Sequence, residues 1–274
     1  MITATLAPTE TLEEPMSLEV VDADGDDASP TIAGLVDLLL KDQPRLNAIA
    51  RAKDRQREMV PRLLAVGLLG YAVFGVALAL AFTAIGRWPT LEPIAVWLEK
   101  PEHSPVGFIA LSDASIWSPW TSGSAPAMLA GYVLGLIGAL GICLPSFYFY
   151  GLLAGVRVSM LDVAVLAAKT VAAGAVALVG VLPIYVAIVL GAAVFDVSAE
   201  IVVPLACLGL LLPFIAGLWG TRTLYVSFLG WCDTMPAERR ERRQCFLRRL
   251  LFAWSGCYTA IAPVMIYTLW EKLS

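Results

Sequence analysis

LLAVGLLGYAVFGVALALAFTAI, residues 63–85, is an uninterrupted apolar segment between Arg62 and Arg87. A helix needs about 20 apolar residues to cross the roughly 30 Å hydrocarbon layer of a bilayer, so this segment is long enough to cross alone. Four further segments have the same character, with approximate bounds at 128–152, 170–195, 201–224 and 250–270. The sequence therefore predicts an all-α, polytopic membrane helix bundle with about five transmembrane helices.

The composition of the whole chain agrees with this class. Hydrophobic residues make up 58% of the sequence and charged residues 15%, and the mean hydropathy of +0.75 lies outside the range of soluble domains. The apolar residues form long runs and not short alternating segments, which argues against a β-barrel. The opening MITATLAPTETLEEP has neither a basic start nor an apolar stretch, so we expect no cleavable signal.

The distribution of basic residues predicts the orientation. With the amino terminus inside, fifteen Lys and Arg residues fall in inside segments and three in outside segments, while Lys169 lies within an apolar segment. This bias follows the positive-inside rule only if there are five spans, because four or six would place an arginine-rich segment outside. We expect a multi-pass protein of the bacterial inner (cytoplasmic) membrane, with a cytosolic amino terminus and the carboxy terminus outside.

Two segments precede the transmembrane domain of residues 62–272. Residues 1–30 hold acids and no Lys or Arg, which predicts an acidic disordered tail. Residues 31–61 mix apolar and basic side chains and predict a cytosolic amphipathic helical segment that is broken near Pro44. This segment either lies at the membrane surface with its basic side chains at the headgroups, or forms a small hairpin packed under the bundle.

The acidic tail contains the run DADGDD, which begins at Asp22 and superficially resembles a calcium-binding loop. The glycine comes too early, and the twelfth position is Ala33 where such a loop has a bidentate glutamate. We interpret the run as solvated tail.

The one long outside loop, residues 87–126, is apolar and rich in tryptophan. It contains Trp88, Trp97, Trp117 and Trp120, which are typical of an aromatic belt at the membrane interface. We predict a short helix over residues 92–99 on the outer leaflet. The functional alternative for the loop is a lid that gathers substrate.

Lys169 is the only charged residue inside an apolar segment. A charge at bilayer depth is a functional candidate by default, so a place in a transport pathway or pocket is one interpretation. Its position near the inner end of the third span favours the other, in which the side chain snorkels to the headgroups and anchors the helix.

The second span carries Gly131, Gly135 and Gly138 at positions i, i+4 and i+7, on one face of a helix. Such a stripe of small residues lets another backbone approach closely and predicts a helix-packing face. The partner is a helix of this chain or of another subunit, and we favour this chain.

ERRERRQCFLRRL, residues 238–250, is the strongest cluster of positive charge in the chain. It holds six arginines: Arg239, Arg240, Arg242, Arg243, Arg248 and Arg249. Binding of a nucleic acid is not expected, because Phe246 is its only aromatic residue. The cluster is interpreted as a signal that retains this loop inside, with contact to lipid headgroups or to a protein partner as a second role.

No motif for catalysis is found: GxSxG, a P-loop, HExxH and paired carboxylates within a span are all missing from the sequence. The single histidine, His103, has no evident partner, and the five cysteines show no zinc-binding pattern. We therefore expect no enzyme and no catalytic, cofactor-binding or metal site.

The layout resembles the Yip family of five-span membrane proteins over residues 31–270. The stretch GVRVSMLDVAVLAAKTVAAGAVALVGVLPIYVAIVL, residues 155–190, is similar to the middle of that domain. The acidic-Leu-Trp-Gly-Pro motif of eukaryotic members has no match ahead of the first span. The resemblance implies a non-enzymatic membrane organiser or adaptor.

Two functional hypotheses follow. The first is a membrane organiser, scaffold or adaptor subunit that contacts the lipid bilayer and presents its inside segments to a protein partner. The second is the permease subunit of a transporter that works with a separate ATPase, which is suggested by the prolines in spans two to five, because kinked helices can frame a cavity.

Overall fold

The computed structural model describes most of the chain beyond the acidic segment. The described residues are 31–91, 109–113, 115, 117–153, 159–195, 197–232 and 237–273. Several sequence predictions concern positions outside them: the acidic tail with its DADGDD run, the helix over residues 92–99, Trp97 and His103. The side chains of Arg239, Arg240, Arg242 and Arg243 also lie outside the described part.

The described elements are eight helices and two strands. In chain order they are α1 (Ile32–Lys41), α2 (Gln43–Arg51), α3 (Lys53–Ile85), β1 (Arg87–Leu91), β2 (Ile109–Asp113), α4 (Ser118–Thr121), α5 (Ser124–Leu153), α6 (Met160–Val194), α7 (Ala199–Cys232) and α8 (Ala237–Leu273).

Five of these helices are long and apolar enough to cross a membrane, which confirms the α-helical class and the predicted number of spans. The apolar stretches are Asp54–Ile85, Ser124–Leu153, Met160–Val194, Glu200–Ser227 and Arg248–Leu273. By length and composition, the chain is a multi-pass membrane protein. The helices continue past the predicted bounds because polar and charged residues such as those of Lys53–Arg62 are also good helix formers outside the bilayer.

A small antiparallel sheet is the exception to an all-α chain. β1 pairs with β2, with Arg87 opposite Asp113 and Leu91 opposite Ile109. α3 ends at Ile85. The next residue, Gly86, has a left-handed backbone (φ 69°) that turns the chain out of the helix and into β1. The sequence prediction missed this pairing because the two strands are separated by many residues and neither shows strict alternation.

The expectation of an interfacial aromatic belt is wrong for Trp88, which is buried within the protein. Its ring packs edge-on against Phe82, with 6.1 Å between the ring centroids. The indole N–H of Trp120 donates to the hydroxyl of Thr83 at 3.1 Å. Only Trp117 of the described tryptophans in this loop is highly exposed. Trp88 and Trp120 therefore hold the sheet and α4 against the end of α3.

The bundle is built from two closely packed sets of helices. α6 lies between α3 and α7 and packs along both, while α5 packs along α8. A shared apolar core, which includes Phe74, Leu136 and Trp254, joins the two sets. The direct contact between α7 and α8 is much smaller than the contact between α6 and α7.

α1 and α2 form a hairpin that packs against one end of the bundle. Thr31 caps α1 and Asp42 caps α2, so the break falls at Asp42 and Pro44 sits in the first turn of α2, where proline is tolerated. Leu35 and Leu46 are fully buried against α3 and α6. Each such burial contributes about 2 kcal/mol. The packed hairpin is therefore the arrangement found, and we call this end of the molecule the hairpin end.

Candidate functional site

The site with the most unusual chemistry surrounds Lys169, in the third turn of α6. Its side chain is 1% exposed. The ammonium Nζ donates to Asn47 Oδ1 of α2 at 2.6 Å and to Ser227 Oγ of α7 at 3.3 Å. Ser227 Oγ is in turn 3.1 Å from Asn47 Oδ1. We call these three residues the lysine cluster.

The expectation that Lys169 anchors the helix by snorkelling to the headgroups is wrong. The α1–α2 hairpin covers this part of α6, and the lysine ends on the amide of Asn47 instead of reaching the surface. Only the position of the lysine in its span can be read from the sequence. Its partner is 122 residues away in the chain, so no local pattern could have identified it.

The ammonium is held by neutral oxygens. Among the described residues, no carboxylate forms an ion pair with Lys169. Taking an ammonium out of water is costly unless its donors are satisfied, and Asn47 and Ser227 satisfy two of the three. The hairpin is thus tied to the bundle by a hydrogen bond to a charge, the stronger kind of hydrogen bond.

The lysine cluster has little room for a substrate. A cavity of about 10 Å³ lies beside it, lined by Asn47, Arg51, Asp162, Ser227 and apolar groups of α2 and α6. This volume holds roughly one water molecule. The geometry of the described residues around Lys169 is that of a structural clamp.

Gln56 of α3 provides a second polar tie, which joins α3 to α2 and α6. Its side chain, which is 2% exposed, donates from Nε2 to Ala50 O at 2.9 Å and to Asp162 Oδ1 at 2.6 Å. Asp162 also completes the capping box of α6, because its Oδ2 accepts from the backbone N–H of Ser159 at 2.8 Å. One carboxylate therefore defines the start of α6 and joins α6 to α3.

The glycine stripe of α5 faces α8 of the same chain. A Cβ at Gly131 would lie 3.0 Å from the backbone nitrogen of Trp270, and a Cβ at Gly135 would lie 2.8 Å from the Cα of Ile266. Gly138 faces Met265 more loosely, at 3.3 Å. The small residues let two backbones meet, as small residues do in membrane helices.

The six arginines fall into two groups. Arg248 and Arg249 lie on α8 with exposed side chains. The other four belong to the first turns of α8, and their backbone is helical. Arg248 shares a groove with Arg222 of α7.

Sequence reasoning found Lys169 and the glycines but missed Asn47, Gln56 and Ser227. Lys169 was visible because a charge is rare in an apolar segment. The three others are ordinary polar residues in polar or mixed stretches, and only the folding of distant segments gives them a role.

Among the described residues, no three His, Cys, Asp or Glu side chains are grouped closely enough to hold a metal ion. Comparison with models of protein families, with curated proteins and with solved structures finds no match to this chain.

Proposed function

We propose that this protein is a membrane adaptor of the bacterial inner membrane, which uses the α1–α2 hairpin as a rigid docking platform for a protein partner. The observation that carries the proposal is the lysine cluster. A buried charge at the junction of α2, α6 and α7 fixes the hairpin relative to the spans. An adaptor requires such a fixed surface, because a partner held by a mobile segment would not be oriented against the membrane.

The outer face of the hairpin is suited to a polar partner. Its inward side carries Leu35, Leu39 and Leu46. Its exposed residues include Asp37, Lys41, Arg45 and Arg51. Asp37 and Lys41 form an ion pair of 2.6 Å, and this contact raises the pKa of Lys41. The exposed face therefore presents both signs of charge, and charge patterns of this kind select partners and guide their approach.

The charge distribution supports a cytosolic position for this platform. The hairpin, the start of α3 and the α7–α8 junction carry most of the Lys and Arg residues of the chain. Under the positive-inside rule this end of the molecule faces the cytosol, which places the carboxy terminus of α8 outside.

The resemblance to the Yip family supports the same class of function. It rests on five spans that follow an amphipathic helical segment, and it implies a non-enzymatic organiser. The docking residues proposed for the hairpin come from the structure of this chain and are independent of that resemblance.

Site-specific photo-crosslinking in native membranes tests the proposal. A photoreactive residue at Arg45, on the exposed face of the hairpin, should capture one protein reproducibly. The same residue at Leu211, which is exposed in the apolar part of α7, should capture lipid. Recovery of lipid alone from both positions would contradict the adaptor function.

Charge reversal provides the matched control. Lys41→Glu should reduce the yield of the Arg45 adduct, whereas Lys272→Glu at the far end of α8 should not, since that residue lies away from the hairpin end. If the captured protein is an ATPase, the permease subunit of a transporter becomes the better interpretation.

A further inference from the structure

A groove opens between α7 and α8 at the hairpin end of the bundle. Its volume is about 530 Å³. It exists because α7 and α8 make few direct contacts here, although each packs closely against another helix. The groove is separate from the lysine cluster, which lies on the other side of α7 against α6.

Two arginines face this groove from opposite walls. Arg222 lies on α7 and Arg248 on α8, and both side chains are exposed. Within the described part of the chain, neither guanidinium forms an ion pair with a carboxylate. The groove therefore holds two positive charges that the described fold does not neutralise.

Aromatic rings position both guanidinium groups. The Cζ of Arg222 is 5.4 Å from the ring centroid of Trp219, and the Cζ of Arg248 is 5.8 Å from that of Phe252. Stacking on a ring uses the face of the guanidinium and leaves its N–H donors at the edge. These donors match the oxygens of a phosphate group, which arginine can bind in a two-pronged manner.

A hydroxyl group adds to this donor set. Ser255 lines the groove on α8, and its hydroxyl has no hydrogen-bond partner among the described residues. The second hydroxyl in the lining, that of Thr221, already donates to Leu218 O at 2.8 Å. One serine and two arginines thus line the groove with donors that the described fold does not use.

The rest of the groove is apolar. Leu218, Tyr225 and Phe252 line it, and Leu218 and Phe252 are also exposed on the outer surface of their helices. Arg248 is the first residue of its apolar span, and Arg222 lies five residues before the end of its own. The charges therefore lie toward the same ends of two candidate spans, where arginine is expected at the headgroups, with apolar surface continuing beside them.

We propose that the α7–α8 groove is a binding site for an anionic phospholipid. Arg222, Arg248 and Ser255 bind the phosphate of its headgroup, and Leu218 and Phe252 contact the first part of an acyl chain. The occupant is a lipid and not a free phosphate, because a small soluble anion would leave the apolar wall uncovered.

A titration of the purified full-length chain with single lipids, followed by native mass spectrometry, tests the proposal. Phosphatidylglycerol should bind more tightly than phosphatidylcholine. In the Arg222→Gln and Arg248→Gln variants, the apparent Kd for phosphatidylglycerol should rise about tenfold each, since each loses a hydrogen bond to a charged group. Arg45→Gln removes an exposed arginine of α2 outside the groove and should leave the Kd unchanged.

The source of the phosphate is tested by competition. Glycerol phosphate should not displace the lipid at concentrations where phosphatidylglycerol does, because it lacks the acyl chains. Complete displacement by glycerol phosphate would overturn the assignment to a lipid. Equal affinity of the wild type and the two groove variants, or of phosphatidylglycerol and phosphatidylcholine, would overturn the site itself.

Conservative variants cover the case in which a glutamine variant does not fold. Arg222→Lys and Arg248→Lys keep the charge but lose the two-pronged geometry, so we expect intermediate affinity. Full affinity in both lysine variants, together with loss of all binding at high salt, would show charge attraction alone and would overturn a built site.

Discussion

α7 separates two basic sites that differ in almost every physical respect. On one side, Ser227 of α7 helps to enclose Lys169 of α6, which is 1% exposed. On the other side, Arg222 of α7 and Arg248 of α8 face an open groove. Both sites lie at the hairpin end of the molecule.

These two sites show that packing decides what a basic side chain does. Where α6 and α7 meet closely, the ammonium is cut off from water and has to find its acceptors within the protein, so it becomes a structural clamp. Where α7 and α8 diverge, the guanidiniums keep donors that the described fold does not use, so they are available to a ligand. Three predictions test this contrast.

The largest effect is expected at Asn47. Asn47→Leu removes the closer acceptor of Lys169 and leaves a buried ammonium with Ser227 alone. We expect a loss of about 3 kcal/mol in the free energy of unfolding, because an unpaired buried charge is the costly state. The measurement is unfolding in mixed micelles, with hydrogen exchange of α1 and α2 as the local readout.

The double variant that adds Lys169→Met to Asn47→Leu is the matched control for this loss of stability. In the Asn47→Leu background it replaces the stranded charge with an apolar side chain of similar length, and it should restore most of the stability. If Asn47→Leu proves neutral, or if Lys169→Met fails to restore stability, the clamp does not depend on the buried charge.

Two glycines of α7 allow a direct comparison of two contacts: the α6–α7 seam, where the helices pack closely, and the α7–α8 seam, where they diverge. A Cβ at Gly220 would lie 2.6 Å from the backbone oxygen of Thr170 on α6, whereas a Cβ at Gly217 would meet only the ring of Tyr258 on α8, at 3.9 Å. Gly220→Ala should therefore cost about 2 kcal/mol, since two backbones have to separate. Gly217→Ala should be neutral or stabilise by about 0.5 kcal/mol, because alanine is the better helix former.

The same unfolding assay checks this pair. Equal effects of the two substitutions would show that the α7–α8 seam is as closely packed as the α6–α7 seam. The groove proposal would then lose its structural basis.

The smallest effect on stability is expected in the groove. Arg248 is exposed, and its contact with Phe252 is a surface contact. In lipid-free detergent, Arg248→Gln should change the free energy of unfolding by less than about 0.5 kcal/mol. A loss comparable to that of Asn47→Leu would mean that Arg248 is a structural residue like Lys169, and the contrast between the two sites would fail.

The spans could be predicted from the sequence because each is a local property. An apolar run such as residues 63–85 has to leave water wherever the rest of the chain goes, and its length fits a bilayer. The glycine stripe of α5 was visible for the same reason, since three small residues at helical spacing lie on one face of any helix. That this face meets Trp270 and Ile266 of α8 was not visible.

The sheet and the candidate sites depend on residues that are far apart in the sequence, so they could not be predicted in this way. The pairing of Arg87 with Asp113 joins two short segments that carry no strong strand pattern. Trp88 has the composition of an interfacial residue, yet it is buried because Phe82 lies directly beneath it at the end of α3. A residue type limits the environments in which its side chain has a favourable free energy, and the neighbouring residues decide which of these environments it occupies.

Five apolar helices and a concentration of basic residues at one end can be read from the sequence alone, because hydrophobic length and charge count are sums over neighbouring residues. The enclosure of Lys169 and the open groove at Arg222 and Arg248 depend on tertiary packing. The free energy of a charge depends on the water and the hydrogen-bond partners around it, and these are supplied by segments far apart in the chain.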